Sequence, residues 1–197
     1  MMINKKKQLR QEILQKRDAL TVAERIEKSR QISKQVTTHP IFLQADKVLL
    51  FASFRSEVDT KEIFKTALQM EKQVYFPKII GKEMEFYQVK NENELTEGYW
   101  GILEPQPDEK KRFLPQWEDK VFVLMPASVA DKAGGRISYG GGYYDKYLEQ
   151  LEHKIPKEQI YKLAIVFACQ IVDEGIIPRE AHDIQADEVV TERICCN

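Results

Sequence analysis

The stretch KVFVLMPASVADKAGGRISYGGGYYDKYL, residues 120–148, decides how this chain is read. It opens on VFVLM, a continuous apolar run of strand length, as expected of a strand buried on both faces. A glycine-rich loop follows, ending in Gly140, Gly141 and Gly142. A helix is expected near 143–153, where Tyr144, Tyr147, Leu148 and Leu151 fall at helical spacing and form a core stripe. In open α/β sheets the junction beyond the carboxyl end of a strand is where ligands usually sit.

The glycines permit positive φ and close approach, and they expose backbone N–H groups. The helix start adds unpaired donors and a partial positive charge. Together these can hold a phosphate chain. Neither familiar phosphate motif fits. Gly135 and Gly140 have the Walker spacing, but Gly141 and Gly142 stand where Lys and Ser/Thr should follow. A G-x-G-x-x-G reading from Gly140 fails because Asp145 takes the last glycine position. Tyr143 and Asp145 point away from the core stripe. Asp145 suits either the positive end of the helix or a Mg²⁺ ion as a hard oxygen ligand. Arg136 is a surface arginine or a neutraliser of phosphate charge.

Outward from this junction the pattern repeats. KVLLFASF (47–54), QVYFPKII (73–80), MEFYQV (84–89), KLAIVFA (162–168) and DEVVTE (187–192) read as strands, with Pro77 marking a strand end. TKEIFKTALQMEK (60–72) has helical spacing, with Thr60 as its cap. Residues 90–119 carry Pro105, Pro107 and Pro115 and read as a long excursion with little regular structure, of the kind that covers sites. Two helices open the chain. Leu9, Ile13 and Leu20 make the apolar stripe of the first. Lys6, Arg10 and Arg17 make an adjoining basic stripe, which on local grounds is a solvated edge. Thr21 and Glu24 form a capping box for the second helix. Alternating strands and helices predict an α/β fold: one three-layer domain over 1–197, with a mostly parallel central sheet and an N-terminal helical extension.

The totals narrow the partners. Thirty basic residues stand against 31 acidic ones, a net charge of −1, which gives no global attraction to nucleic acid or to an anionic membrane. No apolar run approaches the ~20 residues of a membrane helix, and MMINKKKQLR has no apolar stretch behind it. Cys169, Cys195 and Cys196 show no metal-ligand spacing, and the odd count with a vicinal pair fits reduced thiols in a cytoplasm.

In combination these segments resemble the 5-formyltetrahydrofolate cyclo-ligase (methenyltetrahydrofolate synthetase) family. The resemblance rests on K-x-x-x-R from Lys6 to Arg10, SEVDT (56–60), GYWGILEP (98–105), the Arg136–Asp145 block and the tail IPREAHDIQADEVVTE (177–192), all in the same order. Two departures stand out. Ile137-Ser138 replaces an expected Leu-Gly, and MPASVAD (125–131) replaces a segment that carries a further glycine. Loss of two permissive positions is expected to alter loop conformation and nucleotide affinity, while the glycines nearest the phosphates remain.

The resemblance implies an enzyme that couples ATP hydrolysis to ring closure of 5-formyltetrahydrofolate, giving 5,10-methenyltetrahydrofolate, ADP and phosphate. It implies that Gly140, Gly141 and Gly142 cradle phosphate, with Tyr144 beside them. Lys6 and Arg10 would reach the nucleotide from the first helix, while Arg17 stays with the solvated edge. Arg136 and Tyr143 would serve catalysis. Asp145 becomes the leading Mg²⁺ ligand and Asp183 a second. Glu57 would accept hydrogen bonds from the pterin, with Trp100 and Tyr143 packing on the folate. No basic cluster identifies where a polyglutamate tail would lie. Two other readings stay open: a folate- or nucleotide-binding protein without turnover, and a sugar-phosphate isomerase-like enzyme on a related scaffold.

Overall fold

In the computed structural model, which describes residues 2–193, a six-stranded sheet forms the centre of the molecule. The chain runs α1 (Met2–Asp18), α2 (Val22–Thr37), α3 (Pro40–Gln44), β1 (Lys47–Leu49), α4 (Lys61–Gln69), β2 (Gln73–Ile80), β3 (Glu83–Gln88), β4 (Leu95–Glu97) and β5 (Leu103–Pro105). It continues through β6 (Val121–Pro126), β7 (Val129–Asp131), β8 (Arg136–Ile137), α5 (Tyr143–Glu152), β9 (Ile160–Ile165), β10 (Ile171–Val172) and β11 (Glu188–Val190). The sheet order is β11-β9-β6-β1-β2-β3, parallel throughout except for the antiparallel edge strand β3. Cys195 and Cys196 lie outside the described residues.

The continuous apolar runs divide by strand period. Phe122 and Leu124 of β6, with Val48 and Leu50, face one layer holding Ile32 and Val36 of α2, Phe42 of α3, and Ile63, Phe64 and Ala67 of α4. Val121, Val123 and Met125, with Leu49, face the other layer, built on Leu148 and Leu151 of α5 with Phe86 and Phe113. A strand buried on both sides needs apolar residues at every position, which is why these runs show no alternation.

Two local expectations need correction. Only Lys47–Leu49 of the KVLLFASF run is laddered; Leu50 N still donates to Tyr75 O at 2.9 Å, and the chain then leaves the sheet. Pro77 does not end β2, which continues to Ile80. Past Tyr75, β1 no longer pairs with β2, so Pro77 lies at an edge where a residue without an N–H is tolerated. The capping box is present: Thr21 Oγ1 accepts from Glu24 N at 3.2 Å, and Glu24 accepts from Thr21 N at 2.8 Å. Thr60 occupies its cap position without capping; its hydroxyl donates to Phe51 O, and Asp59 accepts from Lys61 N instead.

A second, three-stranded sheet, β10-β7-β8, stands beyond the carboxyl end of β6. Helix α1 is therefore no loose extension. Its Ile13, 2% exposed, packs with Leu9 on Val129, Ile137 and Ile177 of this region. Among the described residues, no helix is long and apolar enough to cross a membrane.

Candidate active site

From β1 the chain builds outward to β2 and β3, then returns to β6 and builds the other way. The crevice beyond the carboxyl ends of β1 and β6 is thus the switch point at which an open α/β sheet binds ligands. A narrow crevice there is lined by Arg17, Phe51, Glu57, Val58, Ala127, Ile165 and Gln170. Arg17 of α1 meets there Phe51, Glu57 and Val58 from the segment after β1, Ala127 from just after β6, and Gln170 from the segment after β9.

Glu57 stands in the first of these segments. The residue as a whole is half-buried, but its Oε1 is closed off from solvent and meets no hydrogen-bond partner. Its Oε2 accepts from Phe54 N at 2.8 Å. Burial pushes its pKa up, against the opposing pull of the Phe54 N–H and of Arg17. Tyr139, whose phenol is raised to about 12 chiefly by burial and next by Glu57, lies near it without an aligned bond to Oε1.

The glycine loop has the conformation its residues allow. Gly140 has φ +102° and Gly142, the residue before α5, has φ +65°; both lie in the region that disfavours side chains. A Cβ on Gly141 would stand 2.6 Å from the Tyr143 ring. Arg10 approaches from α1: its Nε donates to Ser138 O at 2.7 Å, and its guanidinium would lie 3.4 Å from a Cβ on Gly140. No carboxylate pairs with Arg10 among the described residues, and desolvation lowers its pKa. An unpaired, partly dried guanidinium beside a glycine loop and a helix start is suited to an anion.

Arg136 is 8% exposed. It donates through Nη2 to Asp145 Oδ1 at 2.7 Å and through Nη1 to Ser138 Oγ, while its Nε has no partner. Burial draws its pKa down. Asp145 Oδ1 also accepts from Ile184 N at 3.1 Å, joining the first turn of α5 to the tail. Tyr143 is half-buried over Gly141 and packs on the α5 core. The Tyr144 hydroxyl is buried without a partner, near enough to Arg136 and Glu57 to feel both, and burial raises its pKa strongly.

Lys6 reaches the tail. Its Nζ donates to Asp183 Oδ2 at 2.7 Å and to Glu180 Oε2 at 2.8 Å. Burial alone would lower its pKa, but the two carboxylates outweigh burial and hold it above the ordinary value. Burial likewise opposes ionisation of Asp183, yet Lys6 and the Glu180 N–H bring it down. Glu180, His182 and Asp183 offer ligand atoms within 4.8 Å of one another, and the ammonium already sits against two of them. Trp100 stands apart from the crevice lining, 70% exposed at the tip of the β4–β5 hairpin with φ +61°. The Lys78–Glu104 ion pair fastens that hairpin to β2.

The sequence departures are accommodated. Neither Ala127 nor Ser138 has positive φ. The carbonyls of Ala127 and Ser128 accept from Gln170 Nε2 at 3.0 Å each, and Ser138 supplies acceptors to both Arg10 and Arg136. The expected change in loop conformation therefore has no strained residue behind it. Arg17, expected on a solvated edge, is instead 2% exposed and lines the crevice, as does Gln170. Arg17 had a signal, its place on the stripe of Lys6 and Arg10, whereas Gln170 had none.

The chain is similar to known proteins along nearly its whole length. A profile of the 5-formyltetrahydrofolate cyclo-ligase family matches residues 2–192. A probable 5-formyltetrahydrofolate cyclo-ligase of Schizosaccharomyces pombe is 32% identical over 81% of this chain and 81% of its own. The 5-formyltetrahydrofolate cyclo-ligase of Escherichia coli K12 is 30% identical over 91% and 96%. The solved structure of 5,10-methenyltetrahydrofolate synthetase from Aquifex aeolicus superposes with a TM-score of 0.79 at 31% identity, covering 96% of this chain and 90% of that one. Sheet order, switch-point crevice and glycine loop thus coincide with a match along nearly the whole sequence, and the chain belongs to the 5-formyltetrahydrofolate cyclo-ligase family.

Proposed function

We propose that this protein closes the ring of 5-formyltetrahydrofolate at the expense of ATP, releasing 5,10-methenyltetrahydrofolate, ADP and phosphate. One observation carries the reading besides family membership. Of the six buried side-chain polar atoms without partners among the described residues, Glu57 Oε1, Ser128 Oγ, Arg136 Nε and Tyr144 OH lie around the switch point and its glycine loop. Buried polar atoms are ordinarily satisfied, so such a cluster marks where a ligand supplies the partners.

The chemistry explains the need for ATP. The N-formyl group is an amide, and its oxygen leaves poorly. Transfer of the γ-phosphoryl group to that oxygen, with the bond to ADP breaking, makes a good leaving group. The N10 lone pair then attacks the formyl carbon, N10 loses its proton, and phosphate departs as the methenyl bridge forms. Such a reaction asks the protein chiefly to align groups and neutralise charge.

The residues divide accordingly. Amides of the loop from Gly140 to Gly142 and the Arg10 guanidinium hold phosphate oxygens, with Tyr144 closing the floor behind them. Arg136 adds charge and fixes Asp145. Glu57 accepts hydrogen bonds from the pterin amino and ring N–H groups. Tyr143 and Trp100 are assigned to the folate, Trp100 arriving on its hairpin. Lys6 reaches a phosphate only by exchanging Glu180 and Asp183 for it. For Mg²⁺ the donor set fits at Asp145, whose Oδ1 is committed to Arg136 and Ile184 while Oδ2 is left for a hard cation that keeps much of its water. Asp183 is the second candidate, although its Oδ2 serves Lys6 and Glu180 N. The ion would neutralise charge on the transferring phosphoryl group.

The test is direct. Purified protein with 5-formyltetrahydrofolate, ATP and Mg²⁺ should yield the absorbing methenyl product and ADP in equal amounts. Binding without product would favour a carrier, and turnover of a sugar phosphate without nucleotide would favour an isomerase; either result ends this proposal.

A further inference from the structure

We infer that Arg17 is a positioning residue that holds the Glu57 carboxylate aimed into the crevice and joins this substrate contact to the glycine loop. The inference rests on the reading of Glu57 as the pterin contact. Arg17 heads the molecule's largest fully buried side chains, which is an unusual place for an arginine. Its Nε donates to Ser56 Oγ at 2.9 Å, the residue directly before Glu57. Its Nη1 and Nη2 both reach the Tyr139 hydroxyl at 3.3 Å, the residue directly before Gly140. Arg17 and Glu57 line the same space. The remaining carboxylate in reach, Asp18, lies 3.6 Å from Nε and is 61% exposed, so it is a diluted counter-charge.

Burying a guanidinium is costly unless charge and hydrogen bonds compensate. A purely structural arginine would be expected to have a firm, aligned carboxylate. Arg17 instead has the exposed Asp18 off its Nε, Ser56 Oγ, which passes its own hydrogen bond on to Asp18 Oδ1, a phenol at 3.3 Å and the field of a half-satisfied glutamate. The groups facing Glu57 are few: Phe54 N from its own loop, Arg17 from α1, Tyr139 from the glycine loop and Tyr144 from α5. Arg17 is the single cation among them. The fork of the guanidinium matters because one planar group spans Ser56 and Tyr139, which a lysine ammonium cannot do. The same helix carries Arg10 at Gly140, so α1 holds both halves of the site in register.

The sign of the pH effect follows. Burial raises the Glu57 pKa and Arg17 opposes it. Substrate binding needs the carboxylate, so activity is lost as pH falls through that pKa. Without Arg17 the opposition disappears, and the acid limb moves to higher pH.

Steady-state kinetics on Arg17→Met, Arg17→Lys and Glu57→Gln, each checked by thermal melting, test the inference. Arg17→Met should raise KM for 5-formyltetrahydrofolate about tenfold or more, equivalent to ~1.4 kcal/mol, with KM for ATP within about twofold. Its acid limb in kcat/KM for folate should shift upward. Arg17→Lys should restore the limb but not the folate KM. A normal folate KM and unmoved limb in a well-folded Arg17→Met would overturn the inference, as would equal losses for both substrates. If Arg17→Met does not fold, Arg17→Lys decides: an unchanged folate KM sinks the idea. Glu57→Gln separates the two levels. An unchanged folate KM there removes the role of Glu57 itself, whereas a raised one beside indifferent Arg17 variants removes only Arg17.

Discussion

Asp145→Asn probes the centre of the site. In the structure Asp145 is the charge partner of Arg136, which is 8% exposed and already has an unpartnered Nε. Breaking a buried ion pair from one side typically costs about 3–5 kcal/mol, because the remaining charge is stranded. Two features reduce that here. The Asp145 side chain is 17% exposed, and asparagine can still accept from Ile184 N. We expect a loss of ~2–3 kcal/mol in urea unfolding, and a fall in Tm of roughly 5–10 °C for a domain of this size. Turnover should fall much further than stability, since the neutral side chain is a poor ligand for Mg²⁺. A partner variant separates the two effects. Adding Arg136→Met should recover part of the stability, because no charge is then stranded, but none of the turnover. A melting temperature within about 1 °C of the parent would refute the account of the ion pair, and full Mg²⁺-dependent activity in Asp145→Asn would refute the metal role.

The other predictions concern single elements. Arg10→Ala should raise KM for ATP about tenfold or more, as loss of one charge-assisted contact implies, with little change for folate; equal effects on both substrates would argue against a phosphate-facing helix. Gly140→Ala should cost ~1–2 kcal/mol in urea unfolding, since φ is +102° there, and nucleotide affinity should fall with it; a neutral result would mean the loop relaxes freely. Glu57→Gln should weaken folate binding yet stabilise the fold. The folded-state pKa lies above the ordinary 4.5, so the carboxyl contributes no penalty below that pH and an increasing one as pH rises through the raised value. Melting curves should therefore separate in favour of the variant at neutral pH and converge at acid pH; a gain confined to acid pH would reverse the argument.

The sequence by itself determined the layer architecture and the place of the loop. Continuous apolar runs such as VFVLM require burial on both faces, amphipathic spacing in 60–72 and 143–153 requires one buried face, and glycines at 140 and 142 accept a backbone that other residues resist. These are local properties, fixed by neighbours a few residues away. What each charged side chain meets is decided across the chain, and there the tertiary structure ruled. Arg17, on the same stripe as Arg10, becomes a fully buried arginine because Ser56 and Tyr139 close over it. Lys6 finds Glu180 and Asp183, more than 170 residues away, and Asp145 finds Arg136 because β8 and the start of α5 fold onto each other. Helical periodicity sets the direction in which a side chain leaves its own element. It carries no information about the group that folding brings to meet it.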